Sequence, residues 1–205
     1  MQLVRNIIFD LGGVILDMDF KRTEAAFINL GIANFGELFA YAQASSLFRD
    51  YETGAIDDQG FVVALQKMAG DHISAQQVTD AWNALLVRFP AERIGLIKKL
   101  QQQYRLFLFS NTNAIHLEAI RRIYTGAFSN ELDHLFEKAY YSHLINLRKP
   151  DLPAFEYVIR DSGVNPAETL FIDDYLVNVE GAKAAGLQAI FLEPGKTLLD
   201  LKWEN

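Results

Sequence analysis

The stretch Ile7-Ile8-Phe9-Asp10-Leu11-Gly12-Gly13-Val14 decides how the rest of the chain is read. Three apolar residues run together without polar alternation and stop at an aspartate followed, one residue on, by two glycines. A strand with one face in water alternates apolar and polar residues. A strand that does not alternate is covered on both faces, as in a parallel sheet lying between helix layers. Asp10 and the glycines also cut the run too short for a secretory leader. Nowhere does the chain approach the roughly 18 consecutive apolar residues of a membrane span. A soluble, cytoplasmic protein with no membrane partner is the expectation.

Runs of the same kind recur at 106–109, 170–172 and 189–192, and 138–142 is a weaker fifth. Helical patterns lie between them. Ile94, Ile97, Leu100 and Tyr104 keep spacings of three and four, as do Phe155, Val158 and Ile159, and the segment 179–185 ends at Gly186. Strands alternating with helices predict a doubly wound parallel α/β sheet with right-handed crossovers.

Residues 17–89 break that rhythm. They show no clear strand but several helix starts, with Asn34 and Glu37, and Ser74 and Gln77, at capping-box spacing. Phe61, Leu65 and Met68 form one apolar stripe, and Trp82, Leu85, Leu86 and Phe89 another. An all-helical insertion is predicted here, ending before Pro90, a residue suited to open the next helix. It would cover the carboxyl end of the first strand, where open α/β sheets bind ligands. The expected architecture is a Rossmann-like core of residues 1–16 and 90–205 with a helical cap of residues 17–89.

Composition narrows the functions. The 205 residues are 50% apolar and 22% charged, ordinary for a folded chain. With no cysteine, a thiol nucleophile, a disulfide scaffold and cysteine-ligated metals are excluded. Nineteen basic against twenty-six acidic residues leave a charge of −7, the wrong sign for a nucleic-acid footprint. His72, His116, His134 and His143 are scattered, with no pair at metal-binding helical spacing.

What the strands end on carries the chemistry. The first ends in Asp10, the second in Ser110-Asn111 and the fourth in Asp173-Asp174, while Lys149-Pro150 precedes a helix between the third and fourth. A parallel sheet gathers its strand ends on one rim, so these groups should converge on one crevice. Carboxylates there suit Mg²⁺, which prefers oxygen ligands. A lysine, a hydroxyl and backbone amides suit a phosphoryl group beside it. Singly, each residue is as well explained as a turn former or helix cap; it is the set, in this order, that is specific.

The set resembles the haloacid dehalogenase-like hydrolase superfamily. Ile8-Phe9-Asp10-Leu11-Gly12-Gly13-Val14 is similar to its first motif and Leu108-Phe109-Ser110-Asn111-Thr112-Asn113 to its second. Arg148-Lys149-Pro150 is similar to the third and Phe171-Ile172-Asp173-Asp174 to the fourth. The helical insertion resembles that superfamily's α-helical cap. Within it, FDLGGVILDMD, YETGAI, SNTNAIH and LRKPD resemble the glucose-1-phosphatase-like sugar phosphatases. The resemblance implies that Asp10 attacks phosphorus to form an aspartyl-phosphate while also binding Mg²⁺. It implies that Ser110 and the Asn111 backbone N–H bind phosphoryl oxygens and that Lys149 neutralises them and orients Asp10. Asp174 and the Gly12 carbonyl would be metal ligands, with Asp173 a ligand directly or through water. Asn178 is read either as a brace for that loop or as a plain helix-start residue.

One position departs from the pattern. Phosphatases of this superfamily carry a second aspartate, an acid and base, two residues after the nucleophile; here that residue is Gly12. General acid–base help is worth ~10²–10⁴-fold, so leaving groups that need least protonation, such as the anomeric oxygen of a sugar 1-phosphate, are favoured. Asp17 and Asp19 are read as hinge or helix-cap residues, with replacement of the missing acid as the alternative. His116 is read as facing the crevice or lying on a helix surface, and Arg49, Glu52 and Thr53 as a cap loop or a solvated charge cluster. The implied function is Mg²⁺-dependent hydrolysis of a small phosphorylated metabolite by a monomer or homodimer. Haloacid dehalogenation, and a catalytically weak phosphate sensor, are the alternatives.

Overall fold

The computed structural model describes residues 3–44, 46–69 and 72–203. Its strands are β1 (Asn6–Phe9), β2 (Asp17–Met18), β3 (Leu86–Arg88), β4 (Arg105–Ser110), β5 (Lys138–Tyr141), β6 (Thr169–Asp173) and β7 (Gln188–Phe191). The helices before β4 are α1 (Phe20–Asn29), α2 (Phe35–Ala44), α3 (Leu47–Glu52), α4 (Asp58–Ala69), α5 (Ala75–Asn83) and α6 (Ala91–Leu100). Those after it are α7 (Ala114–Phe128), α8 (Ser142–Ile145), α9 (Leu152–Ser162) and α10 (Leu176–Ala184).

Five strands form one sheet in the order β5-β4-β1-β6-β7, and every pairing is parallel. The apolar runs are its strands, and their side chains alternate between two buried faces. Ile7, Phe9, Leu106, Leu108 and Ile172 pack with Ile94 and Ile97 of α6 and Ile120 and Tyr124 of α7. Ile8, Phe107, Phe109 and Phe171 point the other way, onto Phe155 and Val158 of α9 and Ala182 of α10. Each such side chain contributes roughly 1.5–3 kcal/mol by leaving water, which makes the central strands β1, β4 and β6 the stable base of the molecule. The edge strand β7 is only half-buried along its length, so the expectation that this run is covered on both faces does not hold.

Between β1 and β4 the chain builds a second cluster, in which Phe27, Phe35, Tyr51, Phe61, Val78 and Trp82 pack together. Ser74 and Gln77 form the expected reciprocal capping box at α5, worth ~1 kcal/mol. Helix α2 begins directly after Asn34, and Pro90 caps α6.

Two expectations for this region fail. Residues 17–89 do contain strands, because β2 and β3 pair antiparallel as a short ribbon. The stripe of Trp82, Leu85, Leu86 and Phe89 is not one helix face. Helix α5 ends at Asn83, and Leu85, Leu86 and Phe89 turn into the sheet's cluster while Trp82 stays with the helices. A ribbon of two- and three-residue strands is too short to leave a periodic signature.

Candidate active site

The rim of the sheet assembles the site. Phe9 lies opposite Leu108 on one side and Ile172 on the other, so Asp10, Ser110 and Asp173 emerge at neighbouring strand ends. The Asp10 N–H donates to the Ile172 carbonyl at 2.9 Å, carrying the ladder one residue past β1. The chain then turns sharply, with the N–H of Gly13 on the Leu16 carbonyl and those of Ile15 and Leu16 on the Leu11 carbonyl. None of these bonds uses the Gly12 carbonyl. Gly13 has φ +73°, and a Cβ there would overlap the Asp174 carboxylate. Glycine is therefore what lets motif one and the end of β6 approach each other.

Lys149 is the centre of the charge network. It is 1% exposed, and its Nζ donates to Asp10 Oδ1 at 2.7 Å and to Asp173 Oδ2 at 2.6 Å. Its backbone is clamped by the Asn111 side chain, whose Nδ2 donates to the Lys149 carbonyl while its Oδ1 accepts from the Lys149 N–H, at 2.8 and 2.9 Å. Asp173 also accepts from Asn178 Nδ2, 3.1 Å from each carboxylate oxygen, and from the Tyr175 N–H at 2.8 Å. Asn178 is thus a brace for Asp173. The amide of Asn111 has a positioning role that the sequence did not disclose, because its partner lies 38 residues away.

Burial and charge work against each other here. Burial raises the pKa of Asp10 from its ordinary range to about 7; the Lys149 ammonium opposes that and the Asp173 charge adds to it. Burial alone would lower Lys149, but the carboxylates of Asp10 and Asp173 outweigh it and hold the ammonium above its usual pKa. Asp174 is raised by partial desolvation and then by the charge of Asp173. Oxygens of Asp10, Asp173 and Asp174 all lie within 4.8 Å of one another. Three hard oxygen donors beside one ammonium leave excess negative charge, and this donor set fits a small divalent cation. Asp174 is the freest of the three, since Asp173 is fully buried and already accepts from three donors.

A crevice of about 500 Å³ opens above this network. Asp10, Gly12, Ser110, Asn111, Lys149, Asp173 and Asp174, all anticipated from the sequence, line it together. Its other wall comes from the inserted helices and the ribbon: Met18, Phe20, Phe39, Glu52, Trp82 and Leu85. Three earlier alternatives resolve. Asp17 is an anchor, 2.9 Å from Arg93 and 3.4 Å from Arg88, and Asp19 caps α1 through the Lys21 N–H. His116 is no surface residue. Its ring stacks on Trp82 at 4.9 Å, with one nitrogen on the Trp82 carbonyl and the other on Asn113, and burial lowers its pKa to about 4. The segment from Arg49 to Gly54 is a docked contact. Glu52 lies 3.1 Å from Arg148, Arg49 lies 3.4 Å from Asp151, and the Thr53 carbonyl accepts from Asn146 at 2.8 Å. Arg148 drew no role from its place beside Lys149, since its partner is in a distant helix.

Comparisons with known proteins agree with this geometry. A family model for haloacid dehalogenase-like hydrolases matches residues 4–186. The D-ribitol-5-phosphate phosphatase of Bacteroides thetaiotaomicron is 28% identical over 193 residues, covering 94% of this chain and 94% of that protein. A sesquiterpene phosphatase of Aspergillus oryzae is 28% identical over 188 residues, covering 90% of this chain and 88% of its own length. Among solved structures, a HAD family enzyme of Bacteroides thetaiotaomicron in complex with magnesium and inorganic phosphate superposes with a TM-score of 0.88. It is 32% identical, and the match covers 94% of this chain and 96% of that one.

Proposed function

The chain belongs to the haloacid dehalogenase-like hydrolase family, and from that membership and the crevice we propose that it is a Mg²⁺-dependent phosphomonoester hydrolase acting on a small sugar or sugar-alcohol phosphate. The observation that carries the reading is a buried carboxylate, Asp10, held 2.7 Å from a buried ammonium with two further carboxylates alongside. Asp10, Asp174 and the Gly12 carbonyl are the ligands we assign to the metal, with Asp173 next to them. Magnesium bound there supplies positive charge that offsets repulsion between Asp10 and a phosphate dianion.

The chain's own residues do the rest. Lys149 holds Asp10 Oδ1 in place and brings a cation to the phosphoryl oxygens. Asn111 fixes the Lys149 backbone, and Asn178 fixes Asp173, so neither charge has to reorganise when the phosphate arrives. Ser110, 4% exposed at the end of β4, adds a hydroxyl and the Asn111 N–H a donor for the same oxygens. The Asp10 carboxylate displaces the alcohol to give an aspartyl-phosphate that water then opens, so one hard hydrolysis becomes two displacements. The helices of residues 17–89 act as the cap, and their aromatic wall limits water around the reacting phosphate. The support for a sugar or sugar-alcohol leaving group is the ribitol-phosphate relative together with Glu52, a polar side chain in the otherwise largely apolar wall of the crevice. Dehalogenation gains nothing from the second and third carboxylates packed against the first.

The test is Asp10→Asn, assayed for phosphate release from ribitol 5-phosphate and glucose 1-phosphate with Mg²⁺. Turnover should fall by about 10⁴-fold or more, as when a nucleophile is removed, with circular dichroism unchanged. Activity within tenfold of wild type would give the nucleophile's role to another residue and end this reading.

A further inference from the structure

Expulsion of an alkoxide needs a proton, and the water that reopens a phospho-aspartate needs a base. The turn after Asp10 offers neither, because Gly12 has no side chain. Among the described residues lining the crevice, Asp10, Lys149 and Asp173 are locked to one another. Asp174 belongs to the acidic triad. Both ring nitrogens of His116 are engaged, on Trp82 and Asn113. Tyr175 is 62% exposed. Asp17 is outside the crevice, held by Arg88 and Arg93. One carboxyl remains.

We propose that Glu52, at the end of α3, carries the proton to and from the leaving oxygen. Glu52 lines the same crevice as Asp10 but is carried by the inserted helices rather than by the sheet rim that holds the nucleophile, and an in-line leaving group departs on the side away from the nucleophile. The charges that face Glu52 are Arg148, 3.1 Å away, and beyond it Lys149. The neighbours of Glu52 on its own helix are turned elsewhere, Arg49 to Asp151 and Tyr51 to Asp58, and on α8 His143 contacts the Thr112 carbonyl. Arg148 fixes the side chain and takes one of the several lone-pair positions of a carboxylate. Burial raises the Glu52 pKa against the pull of Arg148 and Lys149.

The assignment rests on the phosphatase reading and completes its balance. As the Asp10 oxygen bonds to phosphorus, the bond from phosphorus to the alkyl oxygen breaks. That oxygen keeps the electron pair and takes the proton of the Glu52 carboxyl. The Glu52 carboxylate then accepts a proton from water as the water oxygen bonds to phosphorus and the bond to Asp10 breaks. Phosphate leaves, and both carboxyl groups return to their starting states.

The test compares wild type with Glu52→Gln and Glu52→Asp on two esters, ribitol 5-phosphate and p-nitrophenyl phosphate, in single-turnover experiments that follow expulsion of the alcohol. Nitrophenoxide needs no proton to depart. Glu52→Gln should slow that step for the ribitol ester by ~10²–10⁴-fold and for the aryl ester by less than about tenfold, with Glu52→Asp retaining part of the difference. Equal losses on both esters would make Glu52 a residue of cap closure or binding and overturn the assignment, as would no loss on either. A wild type inert toward both esters would end the phosphatase reading, and this assignment with it. An active wild type with equal losses ends this assignment alone.

Discussion

The two walls of the crevice are built on different principles. The sheet rim is a closed arrangement of charge, in which Lys149, Asp10 and Asp173 hold one another and Asn111 and Asn178 hold them in turn. The opposite wall is a ladder of rings. Phe20 packs on Phe39 at 4.6 Å, Phe39 on Phe48 at 4.7 Å, Phe48 on Trp82 at 5.3 Å, and Trp82 on His116 at 4.9 Å. Among the described residues it offers the crevice one charged side chain, Glu52. The rim is preorganised for a step common to every phosphate ester. The ringed wall and its one carboxyl meet the part of the substrate that varies. On the proposed mechanism the rim handles the phosphoryl group while the ringed wall, through Glu52, handles the leaving group, so variants on the two sides should fail differently.

The largest effect should come from Lys149→Met. It leaves two buried carboxylates without their cation, and breaking such a pair costs about 3–5 kcal/mol. Loss of the cation proposed for the phosphoryl oxygens should lower turnover by ~10²–10³ as well. Urea titration and phosphate release check both, and a variant with wild-type stability would show that the rim is not held together by this charge.

A smaller and different failure is expected from Gly54→Val. Gly54 has φ +71°, and a Cβ there would lie 2.6 Å from the His143 carbonyl. The substitution should cost about 1–3 kcal/mol in local strain and loosen the docking of α3 on α8. KM for sugar phosphates should rise about tenfold; phospho-aspartate formation at saturation should slow with ribitol 5-phosphate, since Glu52 moves with α3, and stay within threefold of wild type with p-nitrophenyl phosphate. Hydrogen exchange faster at α3 but not at β1 confirms the separation; faster exchange at both means the walls are one cooperative unit.

The effect smallest in turnover is a slope with pH, measured without metal. The pKa of Asp10 is raised to about 7 in the folded chain, so between about pH 4 and pH 7 the folded state binds more protons than the unfolded one. Stability from this group therefore falls as pH rises through that window and is flat above it. Asp10→Asn removes the term, so its stability relative to wild type should improve from pH 4 to pH 7. A difference that shrinks over that range would reverse the sign of the argument.

The rim was more legible in the sequence than the ringed wall. Residues 7–9, 106–109 and 170–172 announce strands buried on both faces, and a parallel sheet brings their ends together without further information. Asp10, Ser110, Lys149, Asp173 and Asp174 could therefore be placed from order alone. The other wall depends on how one segment docks on another. The stripe through Trp82 and Leu86 belongs half to the inserted helices and half to the sheet, and periodicity within a segment does not encode that split. The same holds for Glu52 and Arg148, whose pairing is set by the approach of α3 to α8, and for His116, on whose ring Trp82 stacks from the inserted helices.

Met18 sets the room available for a side chain at position 12. Gly12 keeps an ordinary backbone conformation, so its φ does not bar a side chain, but a Cβ there would run into the Met18 sulfur at the end of ribbon strand β2. Met18 is 46% exposed and flexible, so it can be displaced or shortened. An aspartate at position 12 is thus a two-step change. Taken first, it meets the methionine; taken after Met18 has been shortened, it finds room. The two positions are coupled, and because the obstacle is the end of a flexible, half-exposed side chain the coupling is weak. With Glu52 as the proton carrier, an aspartate placed at position 12 would duplicate a group already in the crevice.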